Sequence, residues 1–256
     1  MDKVKELSNL IKKSNYIVLF TGAGFSVASG IPDFRSASGI YNEKYKTYLK
    51  PEIILSHSFF VNNLKDFYAF YKEKLIYPSA LPSPAHIYFS GLEKKGKLKA
   101  VVTQNIDGLH QMAGSKNVYE LHGSVKRNYC LKCHKFLPLE KILESDIPYC
   151  ECGGLIKPDV VLYEESLDMD ILEGAIKEIS KADLLIVAGT SLVVNPAASL
   201  INYFCGSNLV LINKSKTPYD NIANLVINED IVKVVEELKN DDRNDKTEWE
   251  FKEIRI

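Results

Sequence analysis

The sequence predicts an α/β fold: a doubly wound parallel sheet of the Rossmann-like kind, interrupted by a small inserted zinc-binding module. Three observations carry that expectation. Short continuous apolar runs recur at Tyr16–Phe20, Ala100–Thr103, Leu184–Ala188, Leu209–Ile212 and Leu225–Ile227, each the length of a strand buried on both faces. Stretches with apolar residues at helical spacing lie between them. Four of the five cysteines fall into two close pairs, Cys130 with Cys133 and Cys150 with Cys152.

At 256 residues the chain can bury one large core and carry a small insertion. Lys and Arg (32) nearly balance Asp and Glu (33), so no global field attracts nucleic acid or an anionic membrane, and neither is expected as a partner. The charged opening, Met1-Asp2-Lys3-Val4-Lys5-Glu6, is unlike a signal peptide, and no apolar run reaches spanning length. A cytoplasmic location is therefore expected, with the clustered cysteines holding metal rather than forming disulfides. A monomer is the default expectation.

The first element is a helix over residues 2–13, with Val4, Leu7, Leu10 and Ile11 at helical spacing behind a capping Asp2. The strand at 16–20 then runs into Thr21-Gly22-Ala23-Gly24-Phe25-Ser26, which brings bare backbone N–H groups to the carboxyl edge of the sheet, where a pyrophosphate would suit them. The dinucleotide fingerprint is incomplete. Val27 stands where a third glycine would be, and no second strand leads into Glu43. Instead Gly30-Ile31-Pro32-Asp33-Phe34-Arg35 sets a rigid turn, an aromatic ring and a guanidinium beside the phosphate site, which argues against an ordinary dehydrogenase.

Residues 36–57 lack periodicity and read as a cover over the cofactor mouth. Residues 58–76 carry Phe59, Phe60, Leu64, Phe67, Tyr68, Tyr71 and Leu75 at helical intervals, mainly a core stripe. Ser83-Pro84 opens another helix. The strand at 100–103 ends in Gln104-Asn105-Ile106-Asp107; polar groups are costly to bury, so their place at a strand end marks the ligand edge. Glu120-Leu121-His122-Gly123-Ser124 leads into the cysteines.

Cys130-x2-Cys133, sixteen intervening residues and Cys150-x-Cys152 approximate a zinc-ribbon spacing, with Gly153-Gly154 supplying the second turn. Four thiolates leave no open position for water, so the site reads as structural. Two departures are the single residue inside the second pair and His134 beside Cys133 as a substitute ligand.

Val160-Val161-Leu162-Tyr163 then reads as a short strand, and Asp170 opens a helix with Ile171, Leu172, Ala175, Ile176 and Ile179 on one side. The strand at 184–188 closes in Gly189-Thr190-Ser191, and Asn195-Pro196 opens a helix through Ala197, Leu200, Ile201 and Phe204. The strand at 209–212 ends in Asn213 and Lys214. The last strand ends near Asp230, which caps a helix holding Ile231, Val234, Val235 and Leu238. The expected domains are a discontinuous Rossmann-like one over 1–35, 77–124 and 158–240, a helical cover over 36–76, the zinc module over 125–157 and a tail over 241–256.

Together these residues resemble the sirtuins of bacterial type, the NAD-dependent protein-lysine deacylases. The resemblance runs from the first strand to about residue 238. It rests on Gly22-Ala23-Gly24 with Gly30-Ile31-Pro32-Asp33-Phe34-Arg35, on Thr103-Gln104-Asn105-Ile106-Asp107, on Leu121-His122-Gly123, on the cysteine pairs and on Gly189-Thr190-Ser191. It implies that Gly22, Ala23, Gly24, Phe34 and Arg35 bind the phosphates, ribose and nicotinamide side of NAD. Gln104, Asn105, Ile106 and Asp107 would form the nicotinamide pocket, and Gly189, Thr190, Ser191, Asn213, Lys214, Asp230 and Ile231 the phosphate, ribose and adenine end. The implied catalytic residues are His122, a general base whose ordinary pKa of about 6.5 suits the task, and Asn105, which would place a water.

The implied reaction has the acyl oxygen of a modified lysine attack the ribose carbon as nicotinamide leaves. His122 then helps a ribose hydroxyl attack the resulting alkylimidate, and water releases lysine and O-acyl-ADP-ribose. The acylated protein or peptide would lie as an added strand against Val160, Val161, Leu162 and Tyr163 on one side and Val193 and Val194 on the other. Relatives that remove acidic acyl groups carry Tyr and Arg three residues apart; here Tyr68 is followed by Tyr71, which implies a neutral acyl group. Tyr163-Glu164-Glu165 departs from the usual aromatic-Gly-Glu, so Glu164 either faces solvent or shifts peptide preference toward basic flanks. Lys157 stands where Arg is common. Two other functions fit parts of the pattern: protein ADP-ribosyl transfer, and a non-catalytic NAD-responsive binding module.

Overall fold

In the computed structural model, which describes residues 2–34, 39–40 and 49–241, the apolar runs form a six-stranded parallel sheet. Helix α1 (Lys3–Lys13) enters strand β1 (Ile17–Thr21), and Asp2 caps α1 by accepting from the Val4 amide at 3.0 Å. Short 3-10 turns at Ala23–Phe25 and Val27–Ser29 follow β1. Next come α2 (Pro51–Ile54), α3 (His57–Asn62), α4 (Leu64–Lys74) and α5 (Pro84–Lys94), then β2 (Leu98–Thr103), α6 (Leu109–Met112) and β3 (Val118–Glu120). A three-stranded antiparallel sheet is inserted here, made of β4 (Gly123–Cys130), β5 (Phe136–Leu137) and β6 (Ile156–Val160), with α7 (Leu139–Leu143) between the last two. The chain returns through α8 (Met169–Lys181), β7 (Leu184–Ala188), a 3-10 helix at Ala197–Tyr203, β8 (Asn208–Ile212), β9 (Leu225–Ile227) and α9, which runs from 231 to 241. Among the described residues no helix is long and apolar enough to cross a membrane.

The large sheet has the order β3-β2-β1-β7-β8-β9. Alternate residues of β1 feed two apolar layers, as the two-residue period of a strand requires. Ile17 and Leu19 pack with Leu7, Phe89 and Val234 from α1, α5 and α9, while Val18 and Phe20 pack with Ile179 and Leu200 on the other face. Each such fully buried side chain contributes roughly 1.5–3 kcal/mol. A third apolar cluster joins Phe60, Phe67, Tyr68 and Tyr71 of α3 and α4 to Val125, Ile142 and Ile156 of the inserted sheet region. At the end of α9, Asp241 accepts from Ser8 Oγ at 2.5 Å and Lys12 Nζ at 3.2 Å, which fastens α9 to α1.

Several elements differ from the sequence expectation. The run Val160–Tyr163 is not a strand: β6 ends at Val160, because the Tyr163 amide donates to Leu55 O at 3.0 Å and Tyr163 O accepts from the His57 amide at 2.9 Å. The aromatic stretch is two helices broken at Asn63 rather than one. Asp168, not Asp170, caps α8, accepting from the Asp170 and Ile171 amides. The segment opened by Pro196 winds as a 3-10 helix that ends before Phe204.

The carboxyl ends of β1 and β7 nearly touch. The Gly24 amide donates to Gly189 O at 2.8 Å, and the Gly22 amide to Ala188 O at 3.3 Å. Gly189 sits at φ 64, in the left-handed region, and a Cβ there would collide with the Phe25 amide nitrogen. Behind this junction lie two buried histidines. His86 sits edge-on to Phe25 at 4.8 Å and equally near His110, and its Nδ1 accepts from the Ser83 amide at 3.2 Å. His110 Nε2 meets Thr21 Oγ1 at 3.1 Å, and Thr21 Oγ1 donates to Thr103 Oγ1 at 2.8 Å. Burial disfavours the charged ring in both, lowering His86 to about 4 and pushing His110 well below its ordinary value.

The unfolded chain binds a proton at His86 below about pH 6.5, whereas the folded chain does so only near 4. Stability contributed by the neutral ring is therefore complete above that range and is lost as pH falls through it, at about 1.4 kcal/mol per pH unit. Denaturant melts between pH 7 and 4.5 are expected to show a shallower pH slope for His86→Gln than for the parent chain. Separately, Gly189→Ala is expected to cost about 2–4 kcal/mol by clash and left-handed strain. Gly91→Ala, in α5 with nothing within 4 Å of its Cβ position, is expected to gain roughly 0.5–1 kcal/mol. The same melts check both.

Candidate active site

The carboxyl ends of β1, β2, β7 and β8 open onto one cleft of about 770 Å³, and the loop that follows β6 closes its far side. On the β1 side stand Gly22, Ala23, Gly24 and Phe34. Because Gly22 and Gly24 spend their amides on the β7 end, the run is not the row of bare donors expected; the Ala23 amide is the donor left without a partner among the described residues. The β7, β8 and β9 side presents Gly189, Thr190, Ser191, Asn213, Lys214, Asp230 and Ile231. Asp230 pairs with Lys214 at 2.8 Å and caps α9 by accepting from the Val232 amide. Arg35 lies outside the described residues, as do Glu43 and 242–256.

Gln104, Asn105, Ile106 and Asp107, at the end of β2, face the same cleft. Gln104 Nε2 donates to Thr190 Oγ1 at 2.9 Å and so ties the end of β2 to that of β7. Asn105 is buried; its amide donates to Thr103 Oγ1 at 3.0 Å and its Nδ2 to Ser26 Oγ at 3.0 Å. Ser26 Oγ in turn donates to Asp107 Oδ2 at 2.7 Å, while the Leu109 amide donates to Asp107 Oδ1 at 2.8 Å. Burial pushes the Asp107 carboxyl above the usual carboxylate range, and those two hydrogen bonds oppose the shift. Ser26 was not singled out from the sequence. Only its place between Asn105 and Asp107 reveals it.

His122 stands between β3 and β4, and its Nδ1 meets Gln104 O at 3.0 Å. A carbonyl can only accept, so Nδ1 carries the proton and Nε2 is the unprotonated nitrogen of the neutral ring. Burial lowers the ring's pKa, and the bond to Gln104 opposes that shift. Val160, Val161, Leu162, Tyr163 and Val194 line the cleft beside it. Three residues expected in a substrate wall are elsewhere. Val193 is half exposed and off the cleft surface. Tyr68 and Tyr71 are wholly buried in the core of α3, α4 and the inserted sheet, where Tyr68 donates to Ile156 O. Their helical spacing marks a core stripe, and neither lines the cleft. Lys74, Leu75 and Tyr77 line the cleft with no signal in the sequence that could have found them.

The four cysteines converge beyond the far end of β4. The Sγ atoms of Cys130, Cys133, Cys150 and Cys152 lie within 4.8 Å of one another, with Cys130 to Cys152 at 3.4 Å and Cys133 to Cys150 at 3.8 Å. A tetrahedral zinc with Zn–S bonds of about 2.3 Å places its sulfurs about 3.8 Å apart, so the donor set fits zinc. The amides of Cys133 and Lys132 point at Cys130 Sγ and hold its thiol below the ordinary range, while the neighbouring sulfurs push Cys133 up, the mutual repulsion that a bound cation would relieve. His134 is not part of the group. Gly154 completes the fit, because a Cβ there would stand 2.5 Å from Cys130 Sγ.

These features can be set beside known proteins. A model of the Sir2 family matches residues 22–196. An NAD-dependent protein deacetylase of Clostridium perfringens is 62% identical over 237 residues, which is 91% of this chain and 97% of that protein. Another from Clostridium acetobutylicum is 57% identical over 239 residues, 92% of this chain and 98% of its own length. Among solved structures, a complex of Sir2 with a p53 peptide and NAD+ aligns with a TM-score of 0.82 at 42% identity, covering 93% of this chain and 98% of that one. A Sir2 protein bound to a propionylated peptide aligns with a TM-score of 0.82 at 42% identity, over 94% and 98% of the two chains. With the family model spanning well over half of its length and relatives this similar along nearly all of it, the chain belongs to the Sir2 family.

Proposed function

We propose that this chain is an NAD-dependent protein-lysine deacylase that removes acetyl and other neutral acyl groups and yields nicotinamide and O-acyl-ADP-ribose. The observation that carries the reading is the meeting in one cleft of an oriented neutral His122 with the Asn105–Ser26–Asp107 cluster. Relatives named NAD-dependent protein deacetylases and Sir2 complexes with acylated peptides support it.

In this reading Gly22, the Ala23 amide, Gly24 and Phe34, with Arg35, hold the phosphate and ribose portion of NAD. Gly189, Thr190, Ser191, Asn213, Lys214, Asp230 and Ile231 hold its adenosine end. Gln104, Asn105, Ile106 and Asp107 receive the nicotinamide; Asp107 accepts from its carboxamide while Ser26 and Leu109 keep the carboxyl in place. When bound, NAD supplies a ribosyl carbon that accepts the acyl oxygen as nicotinamide departs. His122 Nε2 takes the proton of a ribose hydroxyl. Burial lowers its pKa and so favours the neutral, proton-accepting form of the ring. The acylated peptide lies against Val160, Val161, Leu162, Tyr163 and Val194, where main-chain pairing gives affinity with little sequence preference.

Cys130, Cys133, Cys150 and Cys152 would hold a structural zinc that closes the turns at the end of β4 and takes no part in proton movement. The five free cysteines suit a reducing compartment, and we place the enzyme in the cytoplasm. The near balance of charge supports proteins, not nucleic acid, as its partners.

Mass spectrometry of an acetyl-lysine peptide incubated with NAD and the enzyme is expected to show loss of acetyl matched by nicotinamide and O-acetyl-ADP-ribose. His122→Ala should lose at least a hundredfold in rate. A peptide that stays acetylated while nicotinamide accumulates would replace this reading with ADP-ribosyl transfer. Metal analysis is expected to find one zinc per chain. Its removal by a strong chelator should lower the melting temperature, and Cys152→Ser should abolish stoichiometric binding.

A further inference from the structure

We propose that Glu164 is a positioning residue that holds the peptide-facing wall of the cleft in register, an inference that rests on the deacylase reading above. Glu164 lines the cleft in the turn between Leu162 and Glu165, with its backbone at φ 76, in the left-handed region that side-chain-bearing residues avoid. Such a conformation persists where surrounding contacts over-determine it. Here the contact is Ser58. Glu164 Oε2 accepts from both the Ser58 amide at 2.9 Å and Ser58 Oγ at 2.6 Å. These bonds hold the carboxyl below its ordinary pKa and favour its charged form.

The surrounding bonds show what is being held. On one edge of the 161–165 segment the Val161 amide donates to His122 O at 3.0 Å, so the wall is continuous with the backbone of the general base. On the other edge the His57 amide donates to Tyr163 O, and the Tyr163 amide to Leu55 O. Glu165 works differently from Glu164. It braces the turn itself, accepting from the Leu162 amide at 2.9 Å and pairing with Lys157 at 3.1 Å and His57 at 2.9 Å. Among the described residues the Glu164 side chain hydrogen-bonds only to Ser58 of α3, so removing it releases the strap and leaves the turn intact. A released wall would shift against His122, and a peptide strand added to it would lose alignment while NAD, on the opposite side, would not.

The test is steady-state kinetics with an acetyl-lysine peptide and NAD, varied in turn. Glu164→Ala is expected to raise the KM for peptide about tenfold, with kcat and the KM for NAD within about twofold. Glu164→Gln, which keeps an acceptor for Ser58, should stay within about threefold of the parent chain, and hydrogen exchange at the Ser58 amide should quicken in the alanine and glycine variants but not in the glutamine one. Glu164→Gly removes the strap while relieving the left-handed strain, so it gives the same KM rise even if the alanine variant folds poorly. An unchanged peptide KM in the glycine or alanine variant would overturn the proposal. So would an equal rise in the KM for NAD, or a loss in the glutamine variant matching that in alanine. If the parent enzyme leaves every acyl peptide untouched, the deacylase reading fails first, and this inference goes with it.

Discussion

The arrangement depends on the backbone contact between the end of β1 and the end of β7. Gly24 donates to Gly189 O, and neither residue has a Cβ to keep the two loops apart. That approach aligns the turn after Thr21 with Thr190 and Ser191, and Gln104 then joins from β2 through the Thr190 hydroxyl. Three strand ends are thereby fixed relative to one another by a handful of hydrogen bonds. The polar residues they carry, costly in any other part of a buried sheet, fall together where a ligand can use them.

Much of this was legible in the sequence, for physical reasons. Strands buried on both faces must be continuously apolar, so β1, β2, β7, β8 and β9 announced themselves, and the polar residues that end them marked the site. What stayed hidden depended on tertiary hydrogen bonding. Val160–Tyr163 is as apolar as a strand, yet its backbone groups are claimed by His122 and by the α2–α3 turn. Tyr68 and Tyr71 show that aromatic periodicity distinguishes a helix face but not which side of it meets a ligand. Gly22 and Gly24 line the cleft as their motif suggests, but their amides are already bonded to the end of β7. Ser26 has an ordinary place in a small-residue loop, and only the fold brings Asn105 and Asp107 to either side of it.

The inserted sheet bears on the chemistry through β4, which starts one residue after His122 and ends at Cys130. Arg127, on that strand, donates to Glu120 at 2.5 Å and to Asp159 at 2.7 Å, and so joins the end of β3 to β6. Glu120 is buried and charge-paired, so the joint is specific in geometry even where its net stabilisation is modest. His122 thus sits at the seam between two apolar cores, with Leu121 packed in one and Val125 in the other.

The strand order has a consequence for the growing chain. Pairing of Ile17 with Leu184 joins segments far apart along the polypeptide, while the earlier pairing of β1 with β2 spans about half that distance. Emerging from the ribosome, the first half can assemble only one flank of β1 and must leave the other apolar edge open until β7 is made. Long-range parallel pairing of this sort is slow and exposed to association in the meantime. A nascent chain therefore has no nucleotide cleft at all until residues beyond 190 are free, and synthesis stalled before that point yields an unpaired sheet edge instead of a partly active enzyme.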